Sequence, residues 1–313
     1  MLSRVAERLY WTSRYLERAE NTARLVNAYS HLILDIPRGV EPGWNVLIEI
    51  FEAQTAFAAR YKNLDERNVV KFLLADTDNL SSIRYSVRAA RENVRTTRDV
   101  LPSQAWELVN ELYLLVEDQA KGAVSRQRRF DFLEELVARN QQINGLIEST
   151  VLRDHGLWFL SLGQLLERAD MTTRIVDAGA AVIIERRNQA IPEVPLLWAN
   201  VLQSLSATSA YRRKVGPTLE ANQLIDFVFT DTQFPRSVLY CVNHIEELVG
   251  FLRGPTGLSR ELRACAAKLQ GLSAEKLHIS ELHEFIDKLQ LALAEINQGV
   301  IEAWFTLTHD ETL

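Results

Sequence analysis

A stretch of thirteen residues in this chain has a close counterpart 150 positions further on. Leu16-Glu17-Arg18-Ala19-Glu20-Asn21-Thr22-Ala23-Arg24-Leu25-Val26-Asn27-Ala28 and the stretch Leu166 to Ala178 agree at eight positions, and Glu20/Asp170, Leu25/Ile175 and Asn27/Asp177 are conservative pairs. The register continues at an offset of 155, where Phe72, Asp76, Thr77, Ser82, Tyr85, Val87, Glu92 and Val94 meet Phe227, Asp231, Thr232, Ser237, Tyr240, Val242, Glu247 and Val249. Trp44 and Trp198 match between the two blocks. A chain that repeats itself over half its length is expected to fold as two copies of one architecture. The division falls near residue 151, giving a first helical repeat over 1–150 and a second over 151–313, packed together as one globular unit. The drift in offset puts about five extra residues into connections of the second half, where insertions cost least.

Each half reads as helix. Apolar residues recur at 3.6-residue spacing through 3–34, 43–61, 66–74, 80–100, 103–121 and 127–149. Pro37, Gly39, Pro42 and Gly43 separate the first two segments, Asn79 is a plausible N-cap, and Pro102 suits a helix start. Pro192, Pro195, Pro217, Pro235 and Gly254-Pro255-Thr256-Gly257 punctuate the second half in the same way. Thirteen glycines and eight prolines in 313 residues are too few for a turn-dense β-sandwich. The expected fold is an all-α helical bundle of two pseudo-twofold-related halves, about six helices each.

Composition narrows the function classes. With 35 Lys+Arg against 41 Asp+Glu the net charge is −6, which gives no global attraction to nucleic acid or an anionic membrane, so any anion site must be local. Cys241 and Cys265 form no metal-type pair or disulfide framework. Met1 to Arg8 lacks the apolar core of a signal peptide, and no long uncharged apolar run follows, so a soluble cytoplasmic protein is expected.

Two polar features stand out. On a helix wheel Tyr10, Arg14, Glu17, Asn21 and Arg24 share a stripe, and its second copy keeps only Glu167 and Arg174. Each Glu either accepts an ion pair from an Arg of its own or the facing helix, fixing how the long helices pack, or joins Arg24 and Arg174 in a cleft for a zwitterion such as an amino acid or peptide. Glu17, Arg18, Arg24, Glu167, Arg168 and Arg174 are therefore the ligand-binding candidates. Arg84, Arg88, Arg91, Arg95 and Arg98 follow spacings of 4, 3, 4 and 3, which places five guanidinium groups on one helix face that the second half does not repeat. Either acidic residues of the next helix, Glu107, Glu111, Glu117 and Asp118, offset them, or the face meets an anionic partner.

Other chemistry is thinly represented. No Glu-x-x-His occurs, and the His244/Glu247 and His278/Glu281 pairs, with His283 nearby, read as hydrogen bonds, so neither metal nor cofactor is expected. No nucleophile elbow, phosphate-binding glycine loop or Cys-x-x-Cys is present, and catalytic residues are not evident. The six tryptophans, Trp11, Trp44, Trp106, Trp158, Trp198 and Trp304, read as core anchors.

Leu9-Tyr10-Trp11 through Glu17-Arg18-Ala19-Glu20-Asn21-Thr22-Ala23-Arg24, with Asn79-Leu80-Ser81-Ser82-Ile83 and Arg88-Ala89-Ala90-Arg91-Glu92-Asn93-Val94-Arg95, resembles the bacterial alpha-E family across essentially the whole chain. Leu80 departs from it, since a proline is common there, which affects capping rather than chemistry. The resemblance implies a setting beside circularly permuted ATP-grasp amide ligases and transglutaminase-like proteins, and a part in making, holding or processing a small peptide. The leading expectation is a non-catalytic helical partner that binds the ligase or its amino-acid or peptide substrate. The alternative is an enzyme that processes small peptides or acyl groups with the paired Glu-Arg helices as its active site.

Overall fold

The computed structural model describes residues 1–37, 42–185, 194–274 and 279–306. Gly39, Pro192 and His278, named above, lie outside them. The described residues form fourteen α-helices and no strand. The first seven are α1 (Ser3–Asp35), α2 (Asn45–Ile50), α3 (Gln54–Ala58), α4 (Glu66–Leu74), α5 (Ile83–Arg95), α6 (Ser103–Gln119) and α7 (Arg126–Thr150). The second seven are α8 (His155–Glu185), α9 (Val194–Ser204), α10 (Thr208–Lys214), α11 (Ala221–Thr230), α12 (Val238–Phe251), α13 (Thr256–Gln270) and α14 (Ile279–Trp304). None of the described helices is long and apolar enough to cross a membrane.

Seven helices per half replace the expected six for a local reason. The segment 43–61 is two short helices, because Glu52 turns left-handed with φ of 50° between α2 and α3, and Ser206 does the same, at 53°, between α9 and α10. The segment 80–100 also contracts. Ser82, rather than Asn79, caps α5 by accepting from Tyr85 N at 3.0 Å, and its own hydroxyl donates to Asp76 O. Asn79 instead accepts from Ser81 N and donates to Phe72 O, tying the turn to α4. Ser237 repeats the cap on α12, accepting from Tyr240 N at 3.1 Å and donating to Asp231 O.

The two long helices that carry the repeated motif, α1 and α8, form the most extensively packed pair in the molecule. They approach closely at Gly163, where a Cβ would lie 2.2 Å from Tyr10 O and 2.7 Å from Ser13 Oγ, so no side chain fits there. Around this pair, α1 also packs on α5, α7 and α9, and α8 on α12, α14 and α2. The apolar sides of both halves belong to one continuous core, which removes a large hydrophobic area from water. Trp198 is fully buried, while Trp11, Trp44, Trp106, Trp158 and Trp304 pack against that core from its margin. Cys241 and Cys265 are free and buried, and burial pushes their thiols up to about 12 and about 11.

Candidate functional site

At the crossing of α1 and α8 the motif closes on itself reciprocally. Arg18 donates to both oxygens of Glu167 (2.5 and 2.8 Å), and Arg168 donates to both oxygens of Glu17 (3.0 and 2.9 Å). A second guanidinium completes each carboxylate: Arg14 Nε reaches Glu167 at 2.8 Å, and Arg236, from the turn before α12, reaches Glu17 at 2.9 Å. Both carboxylates are only 1% exposed. Such burial would be prohibitive for an unpaired carboxylate, and the bidentate fork is the geometry that offsets it. Burial pushes each carboxyl up, but the guanidiniums of Arg168 and Arg236 on Glu17, and of Arg18 and Arg14 on Glu167, outweigh it and hold both at about 2.

The network extends in both directions. Arg236 also donates to Asn21 Oδ1 at 2.7 Å and to Glu20 at 3.1 Å, and burial lowers its pKa. Glu20 further accepts from Asn140 of α7 (2.7 Å) and from Arg24 (2.9 Å). On the other side Asn297 of α14 accepts from both Arg14 and Tyr10, each at 2.6 Å. Side chains from α1, α7, α8 and α14 are thus joined through one buried polar cluster.

Arg24 and Arg174 are not partners of Glu17 and Glu167. Each pairs with the carboxylate one turn before it, Glu20 or Asp170, and then reaches the left-handed residue of the other half: Arg24 to Ser206 Oγ at 2.6 Å, Arg174 to Glu52 Oε1 at 2.9 Å. The structure thus joins Glu17, Arg18, Glu167 and Arg168 in one assembly and places Arg24 and Arg174, which the sequence pattern had put with the two glutamates, at its two ends. The sequence pattern misses Arg236, Asn140 and Asn297. Position 236 is occupied by Ser81 in the other copy, so the duplication does not flag it. Glu20 is missed as well, although an acid four residues before an Arg in both copies is a helical pair and the signal that could have found it.

Two recesses open beside this cluster. One, of about 400 Å³, runs between α1, α7 and α8 and is lined by Ser13, Glu20, Gln141, Gln164, Arg168 and Arg236. The other, of about 470 Å³, is lined by Arg24, Asn27, Gln141, Gln203, Ser206 and Thr208. Gln141 borders both. Within the cluster five guanidiniums, Arg14, Arg18, Arg24, Arg168 and Arg236, meet three carboxylates, Glu17, Glu20 and Glu167, while the recess linings set Arg168 and Arg236 against Glu20 and Glu148, and Arg24 against Glu134.

The arginine stripe is divided, and the single helix face expected over 84–98 is not formed: α5 ends at Arg95, and Arg98 lies in a 3-10 turn beyond it. Arg84 makes a two-pronged ion pair with Glu117 of α6. Arg91 bonds Asn110 at 2.8 Å and lies over the rings of Tyr113 and Trp106. Arg98 stacks on Trp106 at 3.7 Å, Arg95 pairs with Glu92 of its own helix, and Arg88 is exposed. Glu111 is engaged by Arg139 instead. Of the histidines, His244 stacks on Tyr240 and meets its carbonyl at 2.9 Å, while His283 bonds Asp177.

A family model described as a predicted alpha-helical domain with a conserved ER motif, Alpha-E, matches residues 1–305. The chain belongs to the Alpha-E family. Among the Glu-Arg dipeptides of the chain, Glu17-Arg18 and Glu167-Arg168 are the two that close the reciprocal pair. An uncharacterized protein of Mycobacterium bovis and uncharacterized proteins from two strains of Mycobacterium tuberculosis are 25% identical to this Alpha-E chain over 95% of its length. The chain spans 35% of the length of those relatives, so in them the matched region is joined to a larger amount of other sequence. No solved structure matches significantly.

Proposed function

We propose that this Alpha-E chain is a non-catalytic, cytoplasmic helical partner in an ATP-grasp amide ligase system, binding the ligase or its amino-acid or peptide substrate. The observation that carries this reading is a polar groove that sets Arg168 and Arg236 beside Glu20 and Glu148, charges of both signs within one recess. A ligand carboxylate would meet the guanidiniums, and the carboxylates with the amide side chains of Gln141 and Gln164 offer acceptors to an ammonium or peptide N–H. The attachment of the matched region to further sequence in the mycobacterial relatives supports a role alongside another unit. The ATP-grasp association rests on the family resemblance, which also makes a transglutaminase-like protein a candidate partner. The exposed guanidiniums of Arg88, Arg95 and Arg98 supply the face for an acidic partner surface.

The same geometry weighs against peptide processing by the paired glutamates. Each accepts three guanidinium N–H bonds and is held ionised, so neither is placed to give up a proton as a general acid. The test is reconstitution with an ATP-grasp ligase encoded beside this chain. The expected result is a saturable complex and amide-bond formation that needs both proteins, with the chain alone inert. Absence of both ligase and peptide binding, or turnover by the chain alone, would overturn the proposal.

A further inference from the structure

The cleft at Arg24 has a twin in the other half, and the two have diverged in charge. Helices α7 and α14 align at an offset of 153, where Phe132/Phe285, Leu136/Leu289, Ile143/Ile296 and Asn144/Asn297 are identical. With the offsets already established, Arg24, Asn27, Glu134, Gln203 and Ser206 of the first cleft correspond to Arg174, Asp177, Asp287, Glu49 and Glu52. Those five residues border a second recess, of about 280 Å³, together with His283, whose counterpart is Phe130. The frames agree: in each, an arginine on a long central helix reaches a left-handed residue of the other half.

The chemistry does not agree. The first cleft sets one carboxylate, Glu134, against one guanidinium, Arg24. The second sets four carboxylates, Glu49, Glu52, Asp177 and Asp287, against Arg174 alone, and adds an imidazole. Since the first cleft is built without them, the acidic residues and His283 are not demanded by the architecture.

We propose that Asp177, His283 and Asp287 bind one divalent first-row transition ion, such as Zn²⁺ or Mn²⁺. One ligand atom from each lies within 4.8 Å of the other two. Ion–ligand bonds of about 2.0–2.2 Å separate opposite ligands by about 4 Å, so small side-chain rotations bring these donors onto one ion. His283 and Asp287 sit one helical turn apart on α14, and Asp177 faces them from α8, so the site bridges two packed helices. Asp177 Oδ1 is 2.7 Å from His283 Nδ1 and Asp287 Oδ2 is 3.7 Å from Nε2, so the two carboxylates now meet different ring nitrogens, and one side chain must swing for all three to share an ion. A neutral imidazole with two carboxylates suits such ions, and Glu49 at the rim can supply further oxygen. Arg174 does not oppose the ion, because Asp170 and Glu52 already neutralise it.

The test is titration of the tag-free, chelator-treated full chain with ZnCl₂ by calorimetry and with MnCl₂ by electron paramagnetic resonance. One ion per chain is expected for at least one metal, with affinity falling tenfold or more in Asp177→Asn and in His283→Gln. Glu134→Gln, at the position corresponding to Asp287 in the first cleft, should leave it unchanged. Circular dichroism identifies any variant that fails to fold, in which case the exposed Asp287→Asn provides the comparison. Absence of stoichiometric uptake by the wild-type chain, or uptake that survives these substitutions, would overturn the site and leave Asp177 and His283 as an inter-helix hydrogen bond. Ligase and peptide binding are read separately, so either proposal can fail alone.

Discussion

Arg168 closes both of its prongs on Glu17 from the opposite helix, although Arg18 is the residue next to Glu17 in the chain. Side chains at adjacent helix positions point about 100° apart, so the Glu-Arg dipeptide cannot pair with itself and each half requires the other to neutralise it. Arg168→Ala should therefore destabilise the protein by about 3–5 kcal/mol, because it removes two of the three guanidinium bonds to a buried carboxylate. Urea unfolding measures this. A loss below about 1 kcal/mol would mean that Arg236 alone satisfies Glu17.

Acid should unfold the protein through the same pair. Both Glu17 and Glu167 have folded-state pKa values near 2, below their ordinary value of 4.5. Their contribution is thus fully present above about pH 4.5 and is lost as pH falls toward about 2. Stability measured between about pH 6 and pH 3 should fall steeply, and Glu167→Gln should flatten the slope by about one proton. An unchanged slope in that variant would place the acid-sensitive groups elsewhere.

Two glycines should respond oppositely to alanine. Gly163→Ala drives a methyl group into the Tyr10 carbonyl and should cost at least about 1–3 kcal/mol, since both crossing helices must shift. Gly250→Ala meets nothing within 4 Å in α12 and should gain about 0.5–1 kcal/mol from reduced unfolded-state entropy. Thermal melts of the two variants against wild type check both signs.

On α5, Arg88→Glu should change stability by no more than about 0.5 kcal/mol, whereas Arg91→Ala should cost more, since Arg91 is sandwiched by α6. If the exposed part of this face binds a ligase, Arg88→Glu together with Arg95→Glu should weaken the complex. That weakening should be masked at high salt, because exposed charges are screened over about 8 Å at physiological ionic strength. Salt-independent binding, unaffected by these reversals, would assign the stripe to packing alone.

Residues 1–150 should superpose on 156–306 about a pseudo-twofold axis, with α1 on α8 and each following helix on its counterpart. Different helix directions in the two halves would break the expectation.

The helices were legible because their apolar period and their proline and serine boundaries are local properties. The break at Glu52 was not, as nothing in Phe51-Glu52-Ala53 marks a left-handed turn. The wheel grouped Glu17 with Arg24 because they share a face, yet residues seven apart on a helix are about 10 Å apart along the axis. The true partner arrives across the α1–α8 crossing, which a single-helix projection cannot show. Likewise, charge repulsion along Arg84 to Arg98 was real for an isolated helix. Trp106, Asn110, Tyr113 and Glu117, supplied by α6, remove most of it.

Arg18 to Glu167 and Arg168 to Glu17 is the contact rule of an isologous dimer, in which residue i meets j and j meets i. Here both partners lie on one polypeptide. In a dimer of identical subunits every change to one cleft is imposed on the other. Covalent linkage lifts that constraint, so the buried exchange of charges can hold the halves together while one cleft becomes acidic and its twin stays near neutral.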